Sequence, residues 1–312
     1  MICLTGDLHH QSLGTGNQRH ARETEVALAG RYLELLAEAR VKVTFFVSGL
    51  ACEQQWAELR PIAESPWVEL GGHNYSCFTP TLAHRVSKKL LGSYNGPPWA
   101  QRRDCRRTVA ALRRRTGRTL TSWRNHMYMH GPHTEEVLAS CGIRVCSDGT
   151  SADAGGPVWH PAGLWNFPLN VIPDHEHLYH AERTPEWVAA WQRRYRWSDA
   201  FGSRSYHVDQ WTDLVVEQLR AHAARGATAN MIVHPITLYL CDQWRSFRRI
   251  IDVLAASETI FMAEAVERAE AARGILPQAE ASGRAALHAA APVRPAASTT
   301  WPVASPGTEL GA

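Results

Sequence analysis

The chain has 312 residues, 45% of them hydrophobic, which suffices to bury the core of one large domain or two small ones and excludes disorder throughout. Its 33 basic and 30 acidic side chains leave a formal net charge of only +3, and the short arginine runs sit inside helical patterns, which argues against nucleic acid as a partner. No apolar run approaches the ~20 residues a membrane-spanning helix needs, so no membrane partner is expected.

The seven cysteines form no CxxC and show no regular spacing, as expected for free thiols in a reducing compartment. The opening MICLTGDLHH has neither a basic nor an apolar leader segment, so the expected location is the cytoplasm.

The first element is a buried strand over 2–5, a short apolar run that delivers Asp7, His9 and His10 into a polar loop. A helix over 22–39 follows, with Val26, Leu28, Leu33, Leu35 and Leu36 at near-helical spacing. VKVTFFV (41–47) reads as the second strand, 52–63 as a helix ending near Pro66, and 67–70 as a strand running into Gly71, Gly72 and His73. Pro80, Gly92, Gly96, Pro97 and Pro98 mark 74–98 as a long loop with short helical pieces at most. Next come an arginine-rich helix over 100–116, a strand over 120–123 leading to Arg124, a helix over 133–141 and a strand over 143–146. A turn-rich stretch covers 147–185, with extended pieces near 165–172. Helices follow at 185–195, 207–225 and 243–256, and a strand at 229–233 runs into His234 and Pro235. Beyond about residue 273 the composition turns to Ala, Pro, Ser, Thr and Gly. The organisation is therefore one domain over 1–273 and a disordered tail over 274–312.

Alternating strands and helices predict a parallel α/β domain, in which the carboxyl ends of the strands host the site. Those ends deliver Asp7, His73, Arg124 and His234 to one rim.

These residues resemble the NodB-type polysaccharide deacetylases, metal-dependent carbohydrate esterases of deformed (β/α) barrel fold. LTGD (4–7), VELGGHNYSC (68–77), SWRNHMY (122–128) and MIVHP (231–235) are similar in order and spacing to four motifs of that family. TFFVSG (44–49) resembles its second strand, and the likeness extends to about residue 270. The resemblance implies that Asp7 is the catalytic base acting on metal-bound water, that His234 protonates the leaving amine, and that Arg124 orients the base. It also implies His73 as a metal ligand. Where the family has a second aspartate this chain has Leu8, so His9 is the candidate replacement, and the family's second histidine is Cys77. His73 and Cys77 would share a face if a helical turn carried them. The expected metal is a divalent ion held by His9, His73 and Cys77, with the thiolate favouring Zn over Fe, Co or Ni. The alternative is that Cys77 is a core residue and that Asp7, His73 and either His9 or His10 bind the ion.

His126 is a candidate further ligand or substrate contact, and His10 a candidate substrate contact. Asp174 is a candidate substrate contact or the partner of the acid histidine. It belongs to PDHEHLYH (173–180), which reads as a solvated turn or a second metal site. Trp99, Trp123, Trp159 and Trp165 are candidates for stacking on a sugar or for the core. The expected activity is hydrolysis of a C–N bond, with an N-acetylated amino sugar or another small amide as the substrate. A lyase, an epimerase or a cyclic-amide hydrolase of the same fold is the second reading, and a non-catalytic binding protein the third.

Overall fold

The computed structural model describes residues 1–9, 16–77 and 81–274. His10 and the tail beyond 274 lie outside the described residues. Eight strands form one sheet: β1 (Ile2–Leu8), β2 (Val43–Ser48), β3 (Val68–His73), β4 (Ser122–Arg124), β5 (Val145–Cys146), β6 (Val158–His160), β7 (Leu164–Asn166) and β8 (Ala229–Ile232). Their order is β6-β7-β5-β4-β3-β2-β1-β8, parallel throughout except for the antiparallel β6–β7 pair. This mixed sheet curls into a half-barrel with helices, the deformed (β/α) barrel that the sequence predicts.

β1 and β2 are buried along their whole length, as parallel strands covered on both faces must be, and their apolar side chains enter the main core with those of the helix α1 (Glu25–Glu38). Thr24 caps α1, its hydroxyl accepting from the Ala27 N–H at 3.1 Å, so the helix starts three residues later than its apolar period suggests.

Strand ends are where the structure most extends the sequence reading. β1 continues through Gly6, Asp7 and Leu8, and β3 continues through Gly71 and Gly72 to His73. A glycine pair reads locally as a strand breaker, yet here it admits a close approach. A Cβ at Gly71 would lie 2.5 Å from the Phe46 ring, and one at Gly72 would lie 2.5 Å from the Trp123 ring.

Several helical assignments change. The segment 52–63 is two helices, α2 (Gly49–Gln54), capped by Ser48, and α3 (Trp56–Glu64). The expected loop over 74–98 contains α4 (Thr81–Leu91), whose apolar residues Leu82, Val86 and Leu90 recur every four positions and are exposed. The helix expected over 100–116 begins two residues earlier, as α5 (Pro98–Thr116), because proline is well suited to a first helical position. Pro235 likewise opens a helix, Pro235–Asp242, which ends where Gln243 turns left-handed, and the helix expected over 243–256 is confined to Phe247–Ala255. A final helix, Met262–Ala272, has no counterpart in the sequence reading. It buries Met262, Ala265 and Val266 against Cys3, Phe46, Val145 and Trp165. Among the described residues, no helix is long and apolar enough to cross a membrane.

Candidate active site

Parallel pairing brings the strand ends together. His73 stands opposite both Ser48 and Arg124 in the register, and the Val233 N–H donates to Thr5 O at 2.9 Å, holding the exit of β8 beside β1 and placing His234 near Asp7. The Asp7 carboxylate lies between two cations. Its Oδ1 accepts from Arg124 Nη1 at 3.1 Å, and its Oδ2 is 3.8 Å from His234 Nε2.

Arg124 is fully buried, with its guanidinium over the Phe46 ring. It does not grip Asp7 with two parallel bonds. Its Nε and Nη2 instead donate to Ser147 O at 3.1 Å and Ser147 Oγ at 2.7 Å, so the fork is divided between the carboxylate and the strand-end serine.

Asp174 starts a one-turn helix, Asp174–His177, and holds His234 twice. Oδ2 accepts from the His234 backbone N–H at 2.6 Å, and Oδ1 pairs with Nδ1 at 2.8 Å. Burial pushes the His234 imidazole down, but Asp174, joined by Asp7 and Glu25, outweighs burial and raises it to about 9. His234 therefore carries a proton on Nε2, facing Asp7, at neutral pH. Asp174 is fully buried with both oxygens engaged, which places it behind the histidine and not against a substrate. The segment around it is not a solvated turn either, because Asp174, Glu176 and His177 are buried, Asp174 paired with His234 and His177 with Asp199. It is not among the groups of described residues whose donor atoms converge closely enough for an ion.

One such group is His9, His73, Cys77 and His126, each offering one donor atom within 4.8 Å of the others; a second is Asp7, His9 and His234. The rings of His9, His73 and His126 meet edge to face, with centroids 5.0, 5.0 and 5.6 Å apart. The His9 and His73 imidazoles are held from behind, and His126 is held through its backbone. His9 Nδ1 is 3.3 Å from both oxygens of buried Glu25, at the first turn of α1. His73 Nδ1 donates to Arg124 O at 2.6 Å, which leaves a lone pair on Nε2, 3.4 Å from His126 Nδ1. The His126 backbone N–H donates to Asn74 Oδ1 at 2.6 Å, and Asn74 is held in turn by Asp104. Burial, followed by the neighbouring His9, lowers His73 and His126 well below the usual histidine range, so both are neutral, the form that ligates.

His9 Nε2 is buried and has no partner among the described residues. Burying an unsatisfied ring nitrogen costs about 1–3 kcal/mol. A cation among these lone pairs would offset that cost, and carboxylate or carbonyl partners behind ligand histidines are a recurring feature of metal sites. The donor set thus fits a divalent ion. Cys77 reaches the group by a tight turn with its own φ at +47°, not by the helical turn expected from the i, i+4 spacing, because β3 stays extended to His73. Burial, then Asp104, raises its thiol well above the usual value, so ligation would have to displace its proton.

Residues 24–146 match the polysaccharide deacetylase family model. That match spans about two-fifths of the chain, over which the protein resembles the polysaccharide deacetylases. A Mycobacterium smegmatis structure described as a polysaccharide deacetylase aligns with 19% identity and a TM-score of 0.65, over 87% of this chain and 90% of its own. One from Pseudomonas aeruginosa PAO1 aligns with 12% identity and a TM-score of 0.61, over 88% and 92%. The Puue allantoinase aligns with 14% identity and a TM-score of 0.58, over 86% and 90%. At these identities the likeness is one of fold. No curated protein matches the chain. The match over 24–146 is consistent with hydrolysis of the deacetylase kind.

Several residues of this site escape sequence reasoning. Glu25 reads as an ordinary acidic residue of a first helical turn, and only the tertiary structure sets it against His9. Ser147, which shares Arg124 with Asp7, and Asn74, which holds the His126 backbone, carry no motif signal. Of the four candidate tryptophans, Trp123 and Trp165 are core, and Trp159 packs on Trp165. Trp99 is 67% exposed, beside a cavity of about 220 Å3 lined also by Tyr75, Ser76, His84 and Arg103.

Proposed function

We propose that the chain hydrolyses the amide of an N-acetylated amino sugar or a related small amide, with a divalent metal held by His9, His73, His126 and Cys77. The observation that carries this reading is the single Asp7 carboxylate placed between Arg124 and the protonated face of His234, beside an imidazole group with an unsatisfied inward nitrogen. A bound divalent ion, zinc by the softness of the donors with iron, cobalt or nickel as the other candidates, supplies a Lewis acid for the acyl oxygen and acidifies water.

The chain's own residues perform the proton transfers. Asp7 Oδ2 accepts a proton from the attacking water, while Arg124 holds Oδ1 and thereby the plane of the carboxylate. His234 gives its Nε2 proton to the departing nitrogen. Asp174 keeps the other proton on Nδ1, so the ring retains its orientation and its acidity. Breaking the carbon–nitrogen bond needs that proton because an amide anion is a poor leaving group.

The test is elemental analysis of the purified protein, followed by an assay for acetate release from N-acetylglucosamine and from a panel of small amides that includes a cyclic one. About one transition metal per chain and metal-dependent acetate release are expected. Metal-free protein that binds no added Zn, Co, Ni or Fe would overturn the metal assignment. Turnover of the cyclic amide alone would move the activity to ring opening in the same site.

A further inference from the structure

Beside His234 lies a second histidine whose ring the proton-transfer scheme does not use. The His175 ring centroid is 5.7 Å from that of His234 and 5.0 Å from that of His180, while the His9 ring is 6.0 Å from His234. His175 is half-buried, and no hydrogen bond joins its ring nitrogens to another described residue. Its surroundings are built. His180 Nδ1 is bonded to Leu178 O at 3.2 Å, and His180 Nε2 is buried without a partner. Arg183 donates to Glu176 O at 3.0 Å, Ser205 donates to the same carbonyl at 2.8 Å, and the Arg183 guanidinium lies over the Trp187 and Trp191 rings. Burial, then His180 and Arg183, keeps the His175 imidazole well below its usual range, so it is neutral, with one N–H to donate and one lone pair to accept.

If His234 protonates the departing nitrogen, the carbon skeleton on that nitrogen must lie beside His234, where His175 stands. A hydroxyl both donates and accepts, which matches a neutral imidazole. We propose that His175, backed by His180, binds a hydroxyl of the departing amine next to the reacting nitrogen, so that the site selects amides of hydroxylated amines over those of plain alkyl amines. This rests on the hydrolase reading above and assigns a contact to the amine half of the substrate. Sites built to bind a substrate hydroxyl discriminate strongly against analogues lacking it, because their own polar groups are left unpaired.

The test compares N-acetylglucosamine with N-acetylcyclohexylamine on the metal-loaded wild type, His175→Ala and His175→Gln. It also measures by calorimetry the binding of glucosamine and of cyclohexylamine to the same proteins without turnover. The wild type should prefer the hydroxylated partner by about tenfold or more in both kcat/KM and affinity. His175→Ala should bring both ratios close to one, and His175→Gln, which keeps a donor and an acceptor, should restore part of them. An unchanged ratio in His175→Ala, or no preference in the wild type, overturns the proposal. Failure of the wild type to turn over either amide overturns the hydrolase reading instead, and the calorimetric ratio then decides the role of His175 by itself.

Discussion

Replacing Asp174 by asparagine preserves the shape of the group behind His234 but removes its charge. Burial pulls the imidazole down, and Asp174 is the largest influence raising it to about 9. Without it, Asp7 and Glu25 act alone against burial, and the imidazole should fall to about its ordinary 6.5 or lower. At pH 8 an acid of pKa about 9 is about nine-tenths protonated, and one of about 6.5 only about 3%, so kcat/KM should fall about 30-fold at that pH. The loss should shrink as the pH drops below about 6.5, where both proteins are protonated. The assay is the pH profile of kcat/KM for acetate release, in which the falling basic limb should move from about pH 9 to about 6.5 or lower. The same histidine affects stability. Its folded value lies above its unfolded one, so its contribution, about 3 kcal/mol from the 1.4 kcal/mol per pKa unit, is complete below about pH 6.5 and lost as the pH rises through about 9. Urea unfolding across that window should show the loss in the wild type and little of it in Asp174→Asn. A basic limb that stays near pH 9 in the variant would refute the coupling between the two residues.

Asp7→Asn should retain metal and lose activity by about 10²–10⁴-fold, the usual worth of a general base, whereas His73→Ala should lose the metal; elemental analysis beside the rate assay separates the two. Glu25→Gln weakens the carboxylate behind His9 and should lower metal affinity about 10–100-fold, measured by competition with a chelator, without altering the fold by circular dichroism. Cys77→Ser should weaken zinc binding by at least about tenfold, since a hydroxyl is a poorer ligand than a thiolate. Unchanged occupancy would reduce Cys77 to a packing residue.

The arrangement of strand ends was legible because each segment carries its own signal. Apolar runs such as VTFFV mark buried parallel strands, and in a parallel sheet their carboxyl ends fall on one rim wherever the helices pack. Asp7, His73, Arg124 and His234 could therefore be assigned to a common edge before any contact was known. Boundaries were less legible where one residue type has two uses. Glycines 71 and 72 read as a stop, and a proline at 235 as an end, whereas packing makes the first pair an allowance for two aromatic rings and the proline a helix start. The helix over Thr81–Leu91 was hidden by the prolines and glycines on either side of it.

Local pattern thus determined the class of fold and which strand ends bear reactive side chains, because periodicity and turn chemistry act over a few residues. The tertiary structure alone decided the partners. Glu25 meets His9 across 16 positions, His126 meets His73 across 53, and Asp174 meets His234 across 60. Such distances in sequence carry no periodic signal. The neutrality of His73 and the retained proton of His234 depend on burial and on charges brought together only when the sheet and its helices pack.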